Sequence, residues 1–340
     1  MAGSPRCRRS MALPSGAVFV YEGFMKRLLT FIIVACAALG LAACGGVEDT
    51  QTEGISVVAP TFAPYDFARE LVGDNGSVSM LLPPGSETHS YEPTPKDILE
   101  IQNADVFIYV GGESDAWVTD VLESIGEGVR AVTLMDCVEL LEEETVEGMQ
   151  AEEHEHEEHG HGHEAEYDEH VWTSPRNAAL ICEKIAAALC EADPENAGEY
   201  NANLASYRAE LAKLDAAFTA IVADGARKTI IFADRFPLLY FARAYGLTYY
   251  AAFPGCSEDA EPSAATVAFI IDKVREEDIP VVFHVELANE DMADIVCDET
   301  GAVKRQFTAC HNVPRAQFNA GVTYLELMWE NTEVLKEALA

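Results

Sequence analysis

The stretch DPENAGEYNANLASYRAELAKLDAAFTAIVAD, residues 193–224, decides the fold. A proline near its start, followed by a long run of residues that favour helices, predicts one continuous helix over residues 194–225. At 1.5 Å per residue this helix would be about 45 Å long. Because that length spans two lobes rather than one, we expect a rigid link between an N-terminal lobe, residues 54–193, and a C-terminal lobe, residues 226–340.

Both lobes repeat an alternation of short β-branched runs and helical segments. In the N-terminal lobe the predicted strands are residues 55–59, 78–82, 106–110 and 132–134, and the predicted helices are residues 65–72, 95–103 and 115–125. In the C-terminal lobe the predicted strands are residues 229–232, 247–252, 280–285 and 304–307, and the predicted helices are residues 238–245, 263–277 and 289–299. Strand, helix, strand in repetition predicts an α/β fold with one parallel, helix-flanked sheet in each lobe.

The N-terminus has the layout of an export signal. Met25-Lys26-Arg27 is basic, residues 28–41 are apolar, and small residues precede Cys44. The apolar run is too short to span a bilayer comfortably, which is typical of a signal peptide. A cleavage site next to a cysteine resembles the lipobox of bacterial lipoproteins. We therefore expect residues 1–43 to contain an upstream extension, 1–24, and a lipoprotein signal peptide.

In that case Cys44 becomes the lipidated first residue, and residues 44–53 form a linker to the first lobe. The alternative is an ordinary secretory signal with an incidental cysteine. The lipoprotein interpretation places the protein outside the cell, anchored on the outer face of the cytoplasmic membrane or in the periplasm.

The chain is strongly acidic: 58 Asp and Glu against 22 Lys and Arg give a formal net charge of -36. Such a charge repels nucleic acid and anionic lipid surfaces and attracts cations, so we expect no nucleic-acid partner. Solubility alone is the simpler explanation, and net charge does not decide between the two.

Nine cysteines are present, but no CxxC pair, so a cysteine zinc site is not expected. Export permits disulfides, and we expect Cys256 to pair with Cys310, since both fall in loops of the C-terminal lobe. Cys182 and Cys190 lie on one predicted helix, roughly 12 Å apart, too far to bridge each other.

Two histidines of the first lobe occupy equivalent places. His89 follows the second predicted strand, and both His89 and His170 precede a hydroxyl-proline pair, residues 94–95 and 174–175, that predicts a helix start. His89 is thus expected at the carboxyl end of a strand, where open α/β sheets bind ligands. A lone loop histidine is usually a solvated bystander, but two placed alike suggest a metal site, since neutral imidazoles suit Zn²⁺.

The second lobe offers Asp234 and His311, both at predicted strand ends. Asp234 could instead pair with Arg235 or cap the following helix, and His311 could be a plain surface residue. Two groups from each lobe would nevertheless give the four ligands that a closed tetrahedral site in a cleft requires.

Three motifs carry a family resemblance: PGSETHSYEPTP at residues 84–95, DEHVWTSP at 168–175 and YFARAYGL at 240–247. Together they resemble the zinc and manganese ABC-transporter solute-binding lipoproteins, from about residue 55 to the C-terminus. The resemblance implies two α/β lobes joined by a rigid helix, with the metal held in the cleft between them. It also implies a monomer that delivers the ion to a membrane permease and its ATPase.

The resemblance assigns His89 and His170 directly as metal ligands. Many family members have a coordinating residue a few positions before the Tyr-Phe pair at residues 240–241, and Asp234 is the nearest such residue in this chain. His311 stands where the family often has Asp. Glu286 matches a family Glu and is interpreted as a carboxylate that supports a ligand. Three imidazoles and one carboxylate favour Zn²⁺ over Mn²⁺, which usually has more oxygen ligands.

A segment rich in Glu and His, residues 142–169, separates the first two motifs, and we expect a disordered loop because it has little apolar content. The zinc-type members of the family tend to carry such a segment. We therefore hypothesise that it collects zinc loosely near the cleft or reports zinc abundance, through His154, His156, His159, His161 and His163. A solvated acidic loop with no such role is the alternative.

Two other functions compete with metal transport. A secreted zinc hydrolase would need an open metal position and a general base, commonly HExxH on a helix, and this motif is absent from the chain. We therefore expect no enzyme. A surface adhesin is compatible with lipid display, although no part of the sequence indicates a recognition patch.

Overall fold

The computed structural model describes residues 54–86, 91–126, 128–150, 166–257 and 261–340 of the protein. Within these ranges, no helix is both long and apolar enough to cross a bilayer. The predicted signal peptide, the linker and Cys44 lie outside the described residues.

The first lobe contains a four-stranded parallel sheet with the strand order β2-β1-β3-β4. Its strands are β1 (Ile55–Ala59), β2 (Gly76–Met80), β3 (Val106–Tyr109) and β4 (Arg130–Thr133). Its helices are α1 (Phe62–Val72), α2 (Pro95–Gln102), α3 (Trp117–Ile125) and α4 (Pro175–Ala192). Val57 and Val58 face opposite sides of the sheet and are both buried, because helices cover both faces.

The sequence marks the starts of α2 and α4 with a hydroxyl-proline pair. At α2 the Thr94 hydroxyl accepts the backbone N–H of Asp97, and the Asp97 carboxylate accepts that of Thr94, a reciprocal capping box. At α4 the Ser174 side chain makes no capping bond, and Pro175 alone sets the first turn.

The predicted linking helix is present as α5 (Ala197–Asp224), with 28 residues and a length of about 42 Å. It is followed by the second sheet, whose strands are β5 (Thr229–Phe236), β6 (Thr248–Pro254), β7 (Val281–His284) and β8 (Val303–Gln306). These strands are all parallel, in the order β6-β5-β7-β8. The predicted class, two similar parallel α/β lobes joined by one long helix, is confirmed.

The helices of the second lobe are α6 (Leu239–Tyr245), α7 (Ala264–Glu276), α8 (Asp291–Thr300), α9 (Arg315–Ala320) and α10 (Tyr324–Leu339). The last of these packs against α5 and also contacts α1 of the first lobe. At its start, the backbone N–H of Tyr324 donates to the buried carboxylate of Asp66 in α1. The C-terminal end of the chain therefore ties the second lobe to the first.

The largest group of contacting buried side chains in the described residues, called the main core below, runs through both lobes and the linking helix. Two smaller groups lie one in each lobe. Phe67 of α1, Phe218 of α5 and Phe241 of α6 belong to one group of contacting buried side chains. The rings of Phe218 and Phe241 meet edge to face with centroids 4.8 Å apart. Separating the lobes widely would expose part of this core to water, which is unfavourable.

The predicted disordered loop, residues 142–169, needs correction at both ends. Residues 142–150, called the strap below, are ordered and cross from the first lobe onto the second. Glu142 forms a bridge with Tyr167, and the Gln150 backbone N–H donates to the carbonyl of Ala252. The prediction failed here because the few apolar residues of the strap pack against the core and its carboxylates have partners.

The strap is held mainly through Glu144, whose carboxylate accepts hydrogen bonds from Arg243 and from the Tyr249 hydroxyl. Val146 and Met149 pack against the main core. The central part of the predicted loop, residues 151–165 with all five of its histidines, lies outside the described residues.

The expected disulfide between Cys256 and Cys310 is not formed, and both thiols are free. Cys310 is fully enclosed in the main core, whereas Cys256 is half-buried beside the carboxylate of Glu143, which accepts its backbone N–H. The two cysteines thus have different surroundings, although both follow strands of the same lobe. Burial raises the pKa of both thiols.

Candidate metal centre

His170 is completely buried at the boundary between the lobes. It directly precedes a single turn of 3₁₀ helix, Val171–Thr173, that leads into α4. The Oδ1 atom of Asp168 accepts the backbone N–H of His170 and lies 3.1 Å from Nδ1 of its ring. With Asp168 ionised, Nδ1 carries the ring proton and Nε2 has the lone pair that can bind a metal.

Burial dominates the protonation of this pair. It lowers the pKa of His170 well below the usual range, and the nearby His311 and Arg235 lower it further. Burial also raises the pKa of Asp168 to about 7, although the hydrogen bond from the His170 backbone lowers it. His170 is therefore neutral at physiological pH, and a neutral imidazole is the form that coordinates metal ions.

His311 lies in the loop that follows β8, and its side chain is mostly buried. The two oxygens of Glu286 hold this loop, because Oε1 accepts the backbone N–H of His311 and Oε2 accepts that of Ala309. The His311 Nδ1 atom lies 3.6 Å from Oε1 of Glu286. Burial would raise the pKa of Glu286, but its bond to His311 and the Ala309 N–H outweigh burial, and the pKa is lowered.

The structure brings His170 and His311 together from different lobes. Their ring centroids are 4.6 Å apart at an interplanar angle of 75°. Trp172 lies against both rings, with centroid distances of 5.5 Å to His170 and 5.2 Å to His311. Its indole N–H donates to the carbonyl of Ala309, so Trp172 also joins the two lobes.

Both histidines line one cavity, together with the carboxylates of Asp115 and Glu169. Asp115 accepts the backbone N–H groups of Val110 and Gly111, at the carboxyl end of β3. Burial raises the pKa of Asp115 to about 6, and it raises that of Glu169 as well. When ionised, both carboxylates attract cations towards the histidines.

The second lobe closes over the His170 ring at Gly255, which follows β6. A Cβ atom at this position would lie 3.1 Å from both Cε1 and Nδ1 of His170 and 2.9 Å from the carbonyl oxygen of Phe236. A side chain here would therefore displace the imidazole.

Asp234, a predicted ligand, has both carboxylate oxygens in hydrogen bonds to the backbone. Its Oδ1 accepts the backbone N–H of Arg235, and its Oδ2 accepts that of Val285. Burial raises the pKa of Asp234. Within the described ranges, no three His, Cys, Asp or Glu side chains form a group that could hold a metal.

His89, the remaining predicted ligand, lies outside the described residues. The described residues on either side of it both border the cavity region. Ser86 lines a space shared with His311, and Tyr91 lines the cavity shared with His170 and His311. The chain that carries His89 therefore leaves and re-enters the described structure beside the two histidines.

Sequence reasoning missed Asp168, Trp172 and Gly255. An Asp two residues before a candidate His was a usable signal for Asp168, since metal-binding histidines commonly donate their other N–H to a carboxylate. Trp172 and Gly255 have no such signal, because their roles depend on contacts across the lobe boundary.

Two parallel α/β lobes are joined by one long helix, and His170 and His311 come together where the lobes meet, which is the architecture of a two-lobe binding protein with a pair of imidazoles in its cleft. Residues 57–338 match the family model described as "Zinc-uptake complex component A periplasmic" (ZnuA), and the chain belongs to this family. It is 34% identical over 322 residues to the high-affinity zinc uptake system protein ZnuA of Bacillus subtilis, covering 93% of this chain and 98% of that protein.

Two solved structures show the same fold. The metal-dependent lipoprotein YcdH from Bacillus subtilis has a TM-score of 0.70 and 30% identity, over 84% of this chain and 99% of that chain. The Zn(II)-bound ZnuA-like domain of AdcA from Streptococcus pneumoniae has a TM-score of 0.69 and 27% identity, over 84% and 99% of the two chains. Family and fold agree with the resemblance carried by the three motifs.

Proposed function

We propose that this chain captures Zn²⁺ outside the cell, holds it between its two lobes and delivers it to the permease of an ABC transporter, which is driven by its ATPase. The observation that carries the proposal is the His170–His311 pair, in which one ring is fully buried, the other is mostly buried, and the ring centroids are 4.6 Å apart. Zinc is the transported substrate in this proposal, and the protein has no catalytic role. Family membership favours transport over the hydrolase and adhesin alternatives.

His170 and His311 fit zinc because each has a carboxylate beside Nδ1, which leaves Nε2 as the coordinating atom. We propose His89 as the third imidazole ligand, because Ser86 before it and Tyr91 after it line two neighbouring cavities that both include His311. Glu286 supports His311 and is not itself a ligand.

Asp234 stays a predicted fourth ligand, although both its oxygens accept backbone N–H groups. Coordination would require it to weaken these bonds. The geometry favours a structural role, in which Asp234 joins the end of β5 to the segment that follows β7. The variant Asp234→Asn distinguishes the two roles. Replacing a structural residue alters stability, whereas replacing a ligand alters zinc affinity.

The anchoring proposal rests on the lipobox-like site at Cys44. Lipid attachment would keep a monomer at the membrane surface, within reach of its permease. Replacing Cys44 by Ser should release the processed protein from the membrane fraction. If the variant stays membrane-bound, the proposed anchor is wrong.

The histidines of residues 151–165 are proposed to gather zinc near the cleft. The strap supports this proposal, because it holds one end of this segment against the second lobe. A deletion of residues 151–165 retains the strap and should lower uptake only when zinc is scarce. Unchanged uptake and unchanged metal stoichiometry would remove the proposed role.

Metal analysis and competitive chelator titration of the mature protein test the main proposal. We expect one tightly held zinc per chain, and a loss of tight binding in the double variant His89→Ala, His311→Ala. The matched control is His284→Gln, because this buried histidine contacts the carbonyl of Val285 and is not assigned to the site. Undiminished binding in the double variant would contradict the site assignment.

A further inference from the structure

The loop that carries His311, residues 308–313, is fastened to its own lobe from one side. Glu286 accepts two of its backbone N–H groups. Asn331 of α10 bonds Thr308 twice, because its Oδ1 accepts the Thr308 N–H and its Nδ2 donates to the Thr308 carbonyl. These bonds fix the loop with respect to the second sheet.

The same loop is bonded from the other side to the first lobe. The carbonyl of His311 accepts the backbone N–H of Phe62, and that of Ala309 accepts the Trp172 indole N–H. The His311 loop is therefore the place where the two lobes meet next to the candidate metal centre.

Asn312 makes the side-chain contact that completes this junction. It is 1% exposed, and its Nδ2 donates to the carbonyls of both Pro83 and Ser86, at 3.0 and 2.9 Å. Both carbonyls belong to one turn, residues 83–86, because the Ser86 N–H also donates to the Pro83 carbonyl. The Asn312 Oδ1 accepts the N–H of Val313, so the amide is fixed at both ends.

We propose that Asn312 is a latch that controls how long the metal is retained. The inference rests on the proposed function and adds a positioning residue that does not itself touch the ion. The shared core and the linking helix oppose wide opening of the lobes, so the proposed latch acts on the local contact between the His311 loop and the 83–86 turn. Asn312 makes that contact, and its two N–H groups face two carbonyl oxygens.

The test uses Asn312→Asp, which keeps the shape of the side chain but sets carboxylate oxygens against the two carbonyls. Asn312→Ala removes both N–H donors without adding charge or a new donor, and serves if the Asp variant folds poorly. The matched control is Asn203→Asp, since Asn203 of α5 also donates to a first-lobe carbonyl, that of Leu71, but is not part of the loop. Each mature protein is loaded with zinc, and its dissociation into excess chelator is followed by stopped flow.

We expect Asn312→Asp to release zinc at least ten times faster than the original protein, a change of about 1.4 kcal/mol. The association rate should stay close to the original value. The melting temperature of the metal-free protein should fall, because the carbonyls of Pro83 and Ser86 lose their donors, so the release rate is the measurement that tests the latch. A residue that only stabilises the fold would lower the melting temperature and leave the release rate unchanged, as we expect for Asn203→Asp.

If both Asn312 variants release zinc at a rate within twofold of the original, the latch is overturned. The proposed function stays intact in that case as long as the original protein binds zinc. Equal losses in association and retention would also overturn it, because they indicate damage to the site itself. If the original protein binds no zinc, the proposed function fails, and the latch fails with it.

Discussion

At the scale of single residues, the two histidines of the candidate site are held in different ways. Asp168 contacts both the ring of His170, with Oδ1 3.1 Å from Nδ1, and its backbone N–H, at 2.8 Å. Glu286 acts mainly on the loop that carries His311, because its short bonds of 2.8 and 2.7 Å go to two backbone N–H groups and its distance to the ring is 3.6 Å. Asp168 therefore fixes the ring and backbone of one residue, whereas Glu286 mainly sets the position of a segment.

Asp168→Asn should lower zinc affinity by about 10-fold or more with little loss of stability, because the amide keeps the shape but loses the charge that favours a metal-bound imidazole. Glu286→Gln should cost about 1–3 kcal/mol of folding stability, since its NH₂ group must face a backbone N–H. Chelator competition and chemical unfolding measure the two effects. The control is Asp105→Asn, whose carboxylate accepts the Ser56 N–H. Unaltered affinity in Asp168→Asn would contradict the assignment.

Gly255→Ala should weaken zinc binding, because the new Cβ would lie 3.1 Å from the His170 ring and 2.9 Å from a backbone oxygen. The ring can yield only by turning away from Asp168. Competitive titration measures the loss. The matched control is Gly198→Ala in α5, where a Cβ meets nothing within 4 Å and stability should stay equal or rise by roughly 0.5–1 kcal/mol. If both variants bind zinc like the original protein, the close packing of Gly255 against His170 does not affect zinc binding.

At the scale of elements, the junction of α1 with α10 contains a buried acid. Asp66 is 0% exposed, pairs with Arg69 and accepts the N–H of Tyr324 at the first turn of α10. Burial raises the pKa of Asp66 to about 7, against the lowering effects of Arg69 and the Tyr324 N–H. The same carboxylate thus joins two helices and resists ionisation.

A raised carboxyl pKa means that the folded state holds this proton more tightly than the unfolded state, whose pKa is near 3.8. The contribution of Asp66 to stability is therefore full below about pH 4 and declines as the pH rises to about 7. Asp66→Asn removes this dependence, so the variant should gain stability relative to the original protein between these limits. Urea unfolding at pH 5 and pH 8 measures the difference. If the difference in unfolding free energy between the variant and the original protein stays constant with pH, Asp66 ionises normally.

At the scale of the whole molecule, the sequence predicted what depends on local pattern. The β-branched runs predicted the eight strands of the described residues near their observed places, and residues 193–224 predicted the linking helix. Contacts between distant segments were not predictable. The return of α10 to Asp66, the ordered strap and the separation of Cys256 from Cys310 all depend on packing partners that lie far apart in the chain.

The candidate site was likewise predictable only where it depends on local pattern. His170 was predicted from the hydroxyl-proline pair that follows it and from a family motif, and His311 from its place at a predicted strand end and from the resemblance. The structure brings the two histidines together. The occupation of both Asp234 oxygens by backbone N–H groups was not foreseeable, because one of these groups belongs to Val285, 51 residues further along the chain.

The shared core predicts that the two lobes unfold as one unit. Phe218 of α5 is buried and packs edge-on against Phe241 of the second lobe, within the same core that includes Phe67 of the first. Phe218→Ala should therefore cost about 3–5 kcal/mol and shift one common transition rather than divide it. Calorimetry and near-UV circular dichroism should report the same midpoint, and zinc at 100 times Kd should raise stability by about 2.7 kcal/mol. Two separate transitions, only one of them moved by the substitution, would show that the lobes fold independently.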